Sequence, residues 1–204
     1  MNILILFAHP ALQRSRVNRH LISDLAAMQN VTFHDLYEHY PDLYIDVEAE
    51  QKLLADHDII IMHHPFYWYS TPAILKEWQD LVLTHGWAYG HEGRALEGKL
   101  MFNAITTGAP EQAYTEVGIN HITLKQLLSP LEHMARLCRM IYLPPFVVYG
   151  AHLMPTETID EPRIDYHRLL KALTENRVDL ERAMNVERLN QDLDLLIREV
   201  NDVR

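Results

Sequence analysis

The sequence predicts an α/β fold in which a parallel sheet of five strands is covered by helices on both faces. Short apolar runs recur at Ile3–Phe7, Ile59–Met62, Leu100–Ile105 and Met140–Tyr149, with a weaker one at Val31–Tyr37. A strand buried on both faces reads as such a run rather than as an alternation. Helical patterns lie between the runs, so strand and helix alternate five times, as in a parallel sheet with crossover helices. The last run contains Pro144-Pro145. Proline donates no ladder hydrogen bond, so this strand belongs at an edge.

Taken in order, Asn2–Phe7 runs into Ala8-His9-Pro10, and Ser15-Arg16-Val17-Asn18 opens a helix. Val17, Leu21, Leu25 and Met28 form an apolar stripe, which predicts one helix over Val17–Met28. Asp46 is placed to cap Val47–Ala55. Thr71-Pro72 signals a helix start, and Ile74, Trp78, Leu81 and Val82 give its buried face. Thr123-x-x-Gln126 is a capping box for a helix over Leu124–Leu137. In the tail, Val186, Leu189, Leu193, Leu196 and Val200 follow heptad steps. That seam is under three heptads, so it is expected to pack on its own domain or on a dimer partner. Two units are expected, a domain over residues 1–162 and a helical extension over 163–204. Five strands with the last at an edge fit the order 2-1-3-4-5, in which ligands bind beyond the carboxyl ends of the strands.

Composition excludes several classes. The chain has 204 residues, a net charge of −10 and 13 His, with no Lys/Arg run to neutralise phosphates, so no nucleic-acid partner is expected. A single cysteine, Cys138, forms no internal disulfide and is expected to fill core space in a reducing compartment. No apolar run reaches spanning length, and the amino-terminal run is too short for a signal peptide. The expected location is cytoplasmic, with any membrane contact peripheral. His63 and His64 are adjacent and so face opposite sides of a strand, and no Cys/His cluster exists, so no metal site is expected. There is no G-x-S-x-G, G-x-G-x-x-G or P-loop, and only 7 Gly. Asp42 and Asp46 read as turn and cap residues.

Three loops follow strands at one sheet edge. The first holds His9 and the helix opening at Ser15, whose free N–H groups suit an anion such as a phosphate. The same residues also suit a plain strand-to-helix turn with His9 bonded to the backbone. The second loop is Phe66-Tyr67-Trp68-Tyr69. Successive side chains alternate, so four rings do not all point inward, and some are left to stack on a flat ligand. The third, Thr106-Thr107-Gly108-Ala109, offers hydroxyls, N–H groups and a Gly that admits close approach.

These residues resemble a known family. Ala8-His9-Pro10 with Ser15-x-x-Asn18, His64-Pro65-Phe66-Tyr67-Trp68-Tyr69-Ser70, His85-Gly86-Trp87-Ala88-Tyr89-Gly90, Leu96-x-Gly98-Lys99 and Thr106-Thr107-Gly108 are similar to the flavodoxin-like NAD(P)H:quinone oxidoreductases. His34-Asp35-Leu36-Tyr37-x-His39-Tyr40-Pro41-Asp42, with Ile45-Asp46 and Glu50-Gln51, resembles one bacterial branch, the ancillary subunits of glutathione-gated potassium efflux systems. The resemblance covers roughly residues 1–150 and implies a flavodoxin-like three-layer sandwich.

It also implies a flavin, FMN with FAD as the alternative, whose phosphate lies against His9, Ser15, Arg16, Val17 and Asn18. The ring would lie between Phe66, Tyr67, Trp68 and Tyr69 on one side and Thr106, Thr107, Gly108 and Ala109 on the other. Tyr114 matches a family tyrosine that handles charge on the flavin. The matching His position falls on Asn120, with His121 next to it, and Ala109 replaces a usual second Gly. The implied activity is ping-pong reduction of a quinone by NAD(P)H in a homodimer. An ancillary role on a Kef-type potassium/proton antiporter is implied beside it. The competing readings are a docking subunit without turnover and a small electron carrier.

Overall fold

The strands with the least alternation occupy the middle of the sheet. β1 (Ile3–Phe7), β2 (Val31–Asp35), β3 (Ile59–Pro65) and β4 (Leu100–Thr106) run parallel in the order β2-β1-β3-β4, and every residue of β1, β3 and β4 is buried. This computed structural model describes residues 1–199. Register aligns the strand ends: Phe7 pairs with His63 and His63 with Ala104, so the loops after β1, β3 and β4 emerge side by side.

The fifth run forms two short strands, β5 (Ile141–Tyr142) and β6 (Phe146–Val148), both paired with β4 at the edge of the sheet. Pro144-Pro145 separates them, as expected where two residues supply no N–H. The order is therefore β2-β1-β3-β4-β5 with β6 continuing the outer position.

Nine helices cover the faces among the described residues: α1 (Arg16–Leu21), α2 (Leu36–His39), α3 (Val47–Ala55), α4 (Ala73–Val82), α5 (Leu124–Leu127), α6 (Ser129–Leu137), α7 (Asp160–Thr174), α8 (Leu180–Ala183) and α9 (Leu193–Leu196). Asp46 caps α3 by accepting from the Ala49 N–H at 3.1 Å. α1 is shorter than the stripe predicts. The Ser23 hydroxyl donates to the His20 carbonyl, and Asp24 turns left-handed at φ 64°, so the chain continues as one 3-10 turn at Leu25–Ala27. The Thr123/Gln126 capping box forms, yet the helix it starts is broken at Leu128, because Pro130 enters the next turn without an N–H. Thr123→Ala is expected to lower stability by about 1 kcal/mol in urea unfolding, the usual cost of a lost cap.

Alternate strand residues feed two cores. Leu4, Leu6, Ile60, Met62, Met101 and Ile105 pack with Ile74, Trp78 and Leu131 of α4 and α6. Ile3, Ile5, Ile59, Ile61 and Phe102 pack on the other face with Val17, Leu21, Tyr166, Leu169 and Leu173 of α1 and α7. Leu81 stays exposed, and Leu75 takes the buried place expected for it.

The heptad seam is not continuous. Leu189, Leu193 and Leu196 are buried in the second core, and only α8 and α9, four residues each, are helical around them. Val186 is partly buried against that core, and Val200 lies outside the described residues. The 162/163 boundary falls inside α7, whose Tyr166, Leu169, Leu170 and Leu173 lie directly on the sheet.

Candidate functional site

Asn18 knits the first and third loops together. It is buried on α1, and its Nδ2 donates to Ser15 Oγ at 3.0 Å and to Thr106 Oγ1 at 3.0 Å. Its Oδ1 meets His63 Nε2 at 3.3 Å. Ser15 caps α1 by accepting from the Asn18 N–H at 3.2 Å. His9 is tied within its own loop, where Nδ1 accepts from the Ala11 N–H at 3.1 Å. Burial lowers the His9 pKa, partly offset by a hydrogen bond with the residue's own backbone. The Arg16 guanidinium turns away to the Met154 carbonyl and Thr156 Oγ1, at 3.1 and 3.2 Å. Val17 packs into the core.

The aromatic loop folds back on itself. Phe66 is 7% exposed and Trp68 94%, with Tyr67 and Tyr69 between these limits. The Ser70 N–H donates to the Tyr67 carbonyl at 2.9 Å, and both central residues are left-handed, Trp68 at φ 48° and Tyr69 at φ 63°. A turn of this hand normally takes Gly or Asn. Two bulky residues there store strain of order 1–3 kcal/mol each. Tyr67 packs edge-on to His9 at 6.0 Å, joining the first loop to the second. The Tyr69 hydroxyl donates to Asn120 Oδ1 at 3.1 Å.

The third loop is locked to the segment after β6. Thr107 N–H donates to the Val148 carbonyl, Ala151 N–H to the Thr107 carbonyl and Gly150 N–H to the Ala109 carbonyl, at 2.8–3.0 Å. The lock lays the His152 imidazole over Gly108. A Cβ on Gly108 would stand 2.8 Å from that ring. His152 had no signal in the sequence, because its neighbour is 44 positions away.

Across the three loops, the N–H groups of Arg16, Val17, Trp68, Tyr69, Gly108 and Ala109 meet no acceptor among the described residues. Arg16 and Val17 open a helix, where N–H groups lack intrahelical partners, and Trp68, Tyr69 and Gly108 are exposed, so all of these donors are open to an acceptor from outside the chain.

Tyr114 is buried beside Phe66, with ring centroids 6.4 Å apart. Burial raises its hydroxyl pKa, partly offset by the Thr107 side chain, so it remains a donor at neutral pH. His121 is exposed on a left-handed turn at φ 52°, apart from this packing. Below the loops, burial pushes the His63 pKa down to about 3, helped by His64 and His9. Burial likewise brings His64 to about 4, against hydrogen bonds to Pro65 and Asn103. Both rings are therefore neutral struts. Cys138 is a buried thiol, and burial raises its pKa to about 11. Among the described residues no group of His, Cys, Asp or Glu is arranged to hold a metal ion, and no helix is long and apolar enough to cross a membrane.

A parallel sheet in this order, with its loops gathered at the carboxyl edge, defines a class, and the chain belongs to it: residues 1–170 match the family described as flavodoxin-like fold. Individual relatives narrow the likeness. The chain is 46% identical over 157 residues to the glutathione-regulated potassium-efflux system ancillary protein KefG of Erwinia tasmaniensis, covering 77% of this chain and 85% of that one. Among solved structures it is similar to general stress protein 14 of Treponema denticola in complex with FMN, with a TM-score of 0.78, 36% identity and coverage of 85% and 99%. It is also similar to an NADPH-quinone reductase from P. pentosaceus, with a TM-score of 0.75, 34% identity and coverage of 83% and 97%.

Proposed function

We propose that this chain is an FMN-dependent NAD(P)H:quinone oxidoreductase, active as a homodimer and serving also as an ancillary subunit of a Kef-type potassium efflux antiporter. The carrying observation is the set of unpaired N–H groups on three adjoining loops. A flavin mononucleotide needs a phosphate site, a flat apolar wall and donors along a polar ring edge, and the residues present fit all three. The phosphate falls to the His9 loop, with the Ser15 hydroxyl and the N–H groups of Arg16 and Val17 around it and Asn18 holding Ser15 in place. Arg16 serves through its main chain, since its guanidinium is engaged elsewhere.

Bound FMN supplies a centre that takes a hydride from NAD(P)H and returns two electrons to a quinone. The chain supplies placement and electrostatics. Tyr67, Trp68 and Tyr69 provide stacking surface, and their exposure leaves room for a nicotinamide or quinone ring on the same face. The N–H groups of Gly108 and Ala109 and the protonated Tyr114 hydroxyl stabilise negative charge at the ring edge without reorganising. His121, exposed and outside this packing, is the weakest of the proposed site residues. The exposed Trp68, Val117 and Ile119 are the surface offered to a second copy.

The test is direct. Purified protein is expected to be yellow, to release FMN on denaturation, and to oxidise NADH or NADPH with a benzoquinone. A colourless protein that takes up neither FMN nor FAD sinks the oxidoreductase reading. The docking reading draws on the likeness to KefG. It would then stand alone, to be decided by potassium efflux on co-expression with the antiporter.

A further inference from the structure

We propose that the chain past residue 170, where the family match ends, is a working part of the site, with Arg188 as a positioning residue for Tyr114. The inference rests on the reading of Tyr114 given above. Three hydrogen bonds fix the backbone beside Arg188 to the outer edge of the sheet. The Leu189 N–H donates to the Pro145 carbonyl at 2.8 Å, Asn190 Oδ1 accepts from the Val147 N–H at 3.0 Å, and Asn190 Nδ2 donates to the Val147 carbonyl at 2.8 Å. Leu189 itself is fully buried, so this segment does not slide.

From that anchor the Arg188 guanidinium reaches two groups at once. It pairs with the Glu111 carboxylate, and its central carbon stands 5.7 Å from the centroid of the Tyr149 ring. Tyr149 packs on Tyr114 at 5.8 Å, and Glu111 opens the 3-10 turn that ends in Tyr114. One side chain therefore grips both the turn that carries Tyr114 and the ring on which it rests. A planar guanidinium pairs and stacks together, which an ammonium does less well. A lone surface ion pair is worth little. Here the pair is coupled to a ring stack that leads into the site, so its loss is read in placement rather than in stability.

Full-length, FMN-loaded Arg188→Gln is the test, with Arg188→Lys as rescue and Arg182→Gln as a control in the same tail. Arg188→Gln is expected to lower kcat with benzoquinone about tenfold, since small misplacements at a site are costly. FMN affinity, KM and Tm are expected to stay near wild type, and Arg188→Lys to recover part of kcat. In ligand-free protein labelled with ¹³C-tyrosine, the Tyr114 resonance, assigned by its loss in Tyr114→Phe, is expected to move in Arg188→Gln and not in Arg182→Gln. An unmoved resonance, or an equal loss of kcat in the control, overturns the proposal. Wild-type protein without quinone turnover refutes the oxidoreductase reading instead, and the resonance alone then decides the role of Arg188.

Discussion

Replacing Glu50 with alanine is expected to remove about 3–5 kcal/mol of folding stability, the cost of breaking a buried, hydrogen-bonded charge network. Glu50 lies on α3 and is 1% exposed. Its Oε1 accepts from the Tyr40 hydroxyl at 2.6 Å and meets His34 Nε2 at 2.7 Å, while Oε2 accepts from Trp78 Nε1 at 2.7 Å. These partners come from β2, the loop after α2, and α4, so one carboxylate joins three elements. Alanine leaves all three partners without an acceptor, with His34 and Trp78 buried and Tyr40 half-buried. Glutamine is expected to recover only part of the loss, because its amide presents a donor where only donors face it. Burial pushes the Glu50 pKa up, but hydrogen bonds from His34, Tyr40 and Trp78 outweigh it and hold the carboxyl below its ordinary value. The folded pKa is depressed, so this stabilisation is complete above the unfolded pKa of about 4.3 and is lost as pH falls through the lower folded value. Urea unfolding of wild type and Glu50→Ala at pH 7 and at successively lower pH down to about 2.5 measures both effects. A difference that does not shrink on acidification would refute the ionised network.

Ser15→Asp is expected to abolish FMN retention while leaving the fold intact. Aspartate is as good a helix cap as serine, so it preserves the acceptor that Asn18 uses at 3.0 and 3.2 Å. Its charge then stands in the proposed phosphate position. Repulsion between unit charges about 4 Å apart near a protein surface costs about 4 kcal/mol, roughly a thousandfold in affinity. Ser15→Thr keeps cap and neutrality and is expected to bind FMN as wild type does. Quenching of flavin fluorescence on titration measures both. A Ser15→Asp protein that binds FMN at the wild-type Kd shows that the phosphate lies elsewhere. Asn18 is unsuited to the same experiment, because any acidic residue there would bury a charge among Thr106 and His63.

Much of the fold was legible because burial on both faces erases alternation. Ile3–Phe7 and Ile59–Met62 read as inner strands, and Pro144-Pro145 marked the edge. Local caps at Asp46 and Thr123 were equally plain, since a cap is written within four residues. The tail misled because spacing alone does not name the surface that leucines cover. Leu189, Leu193 and Leu196 meet the chain's own sheet, with Asn190 between them engaged as a strand mimic. The three loops were legible as polar or aromatic turns after apolar runs. His152, Tyr149 and Arg188 were not, because each acquires its place through partners 35 to 77 positions away. Glu50 stood out only through the family resemblance and gave no sign of burial: one acid in a polar helix looks solvated until its neighbours are known.

Asn190 also guards one position on the margin of the sheet. By taking both main-chain groups of Val147 that face away from β4, it fills the rung on which an extended peptide from another chain would add. Strand addition at that rung is blocked, so an incoming peptide would first have to displace the chain's own tail.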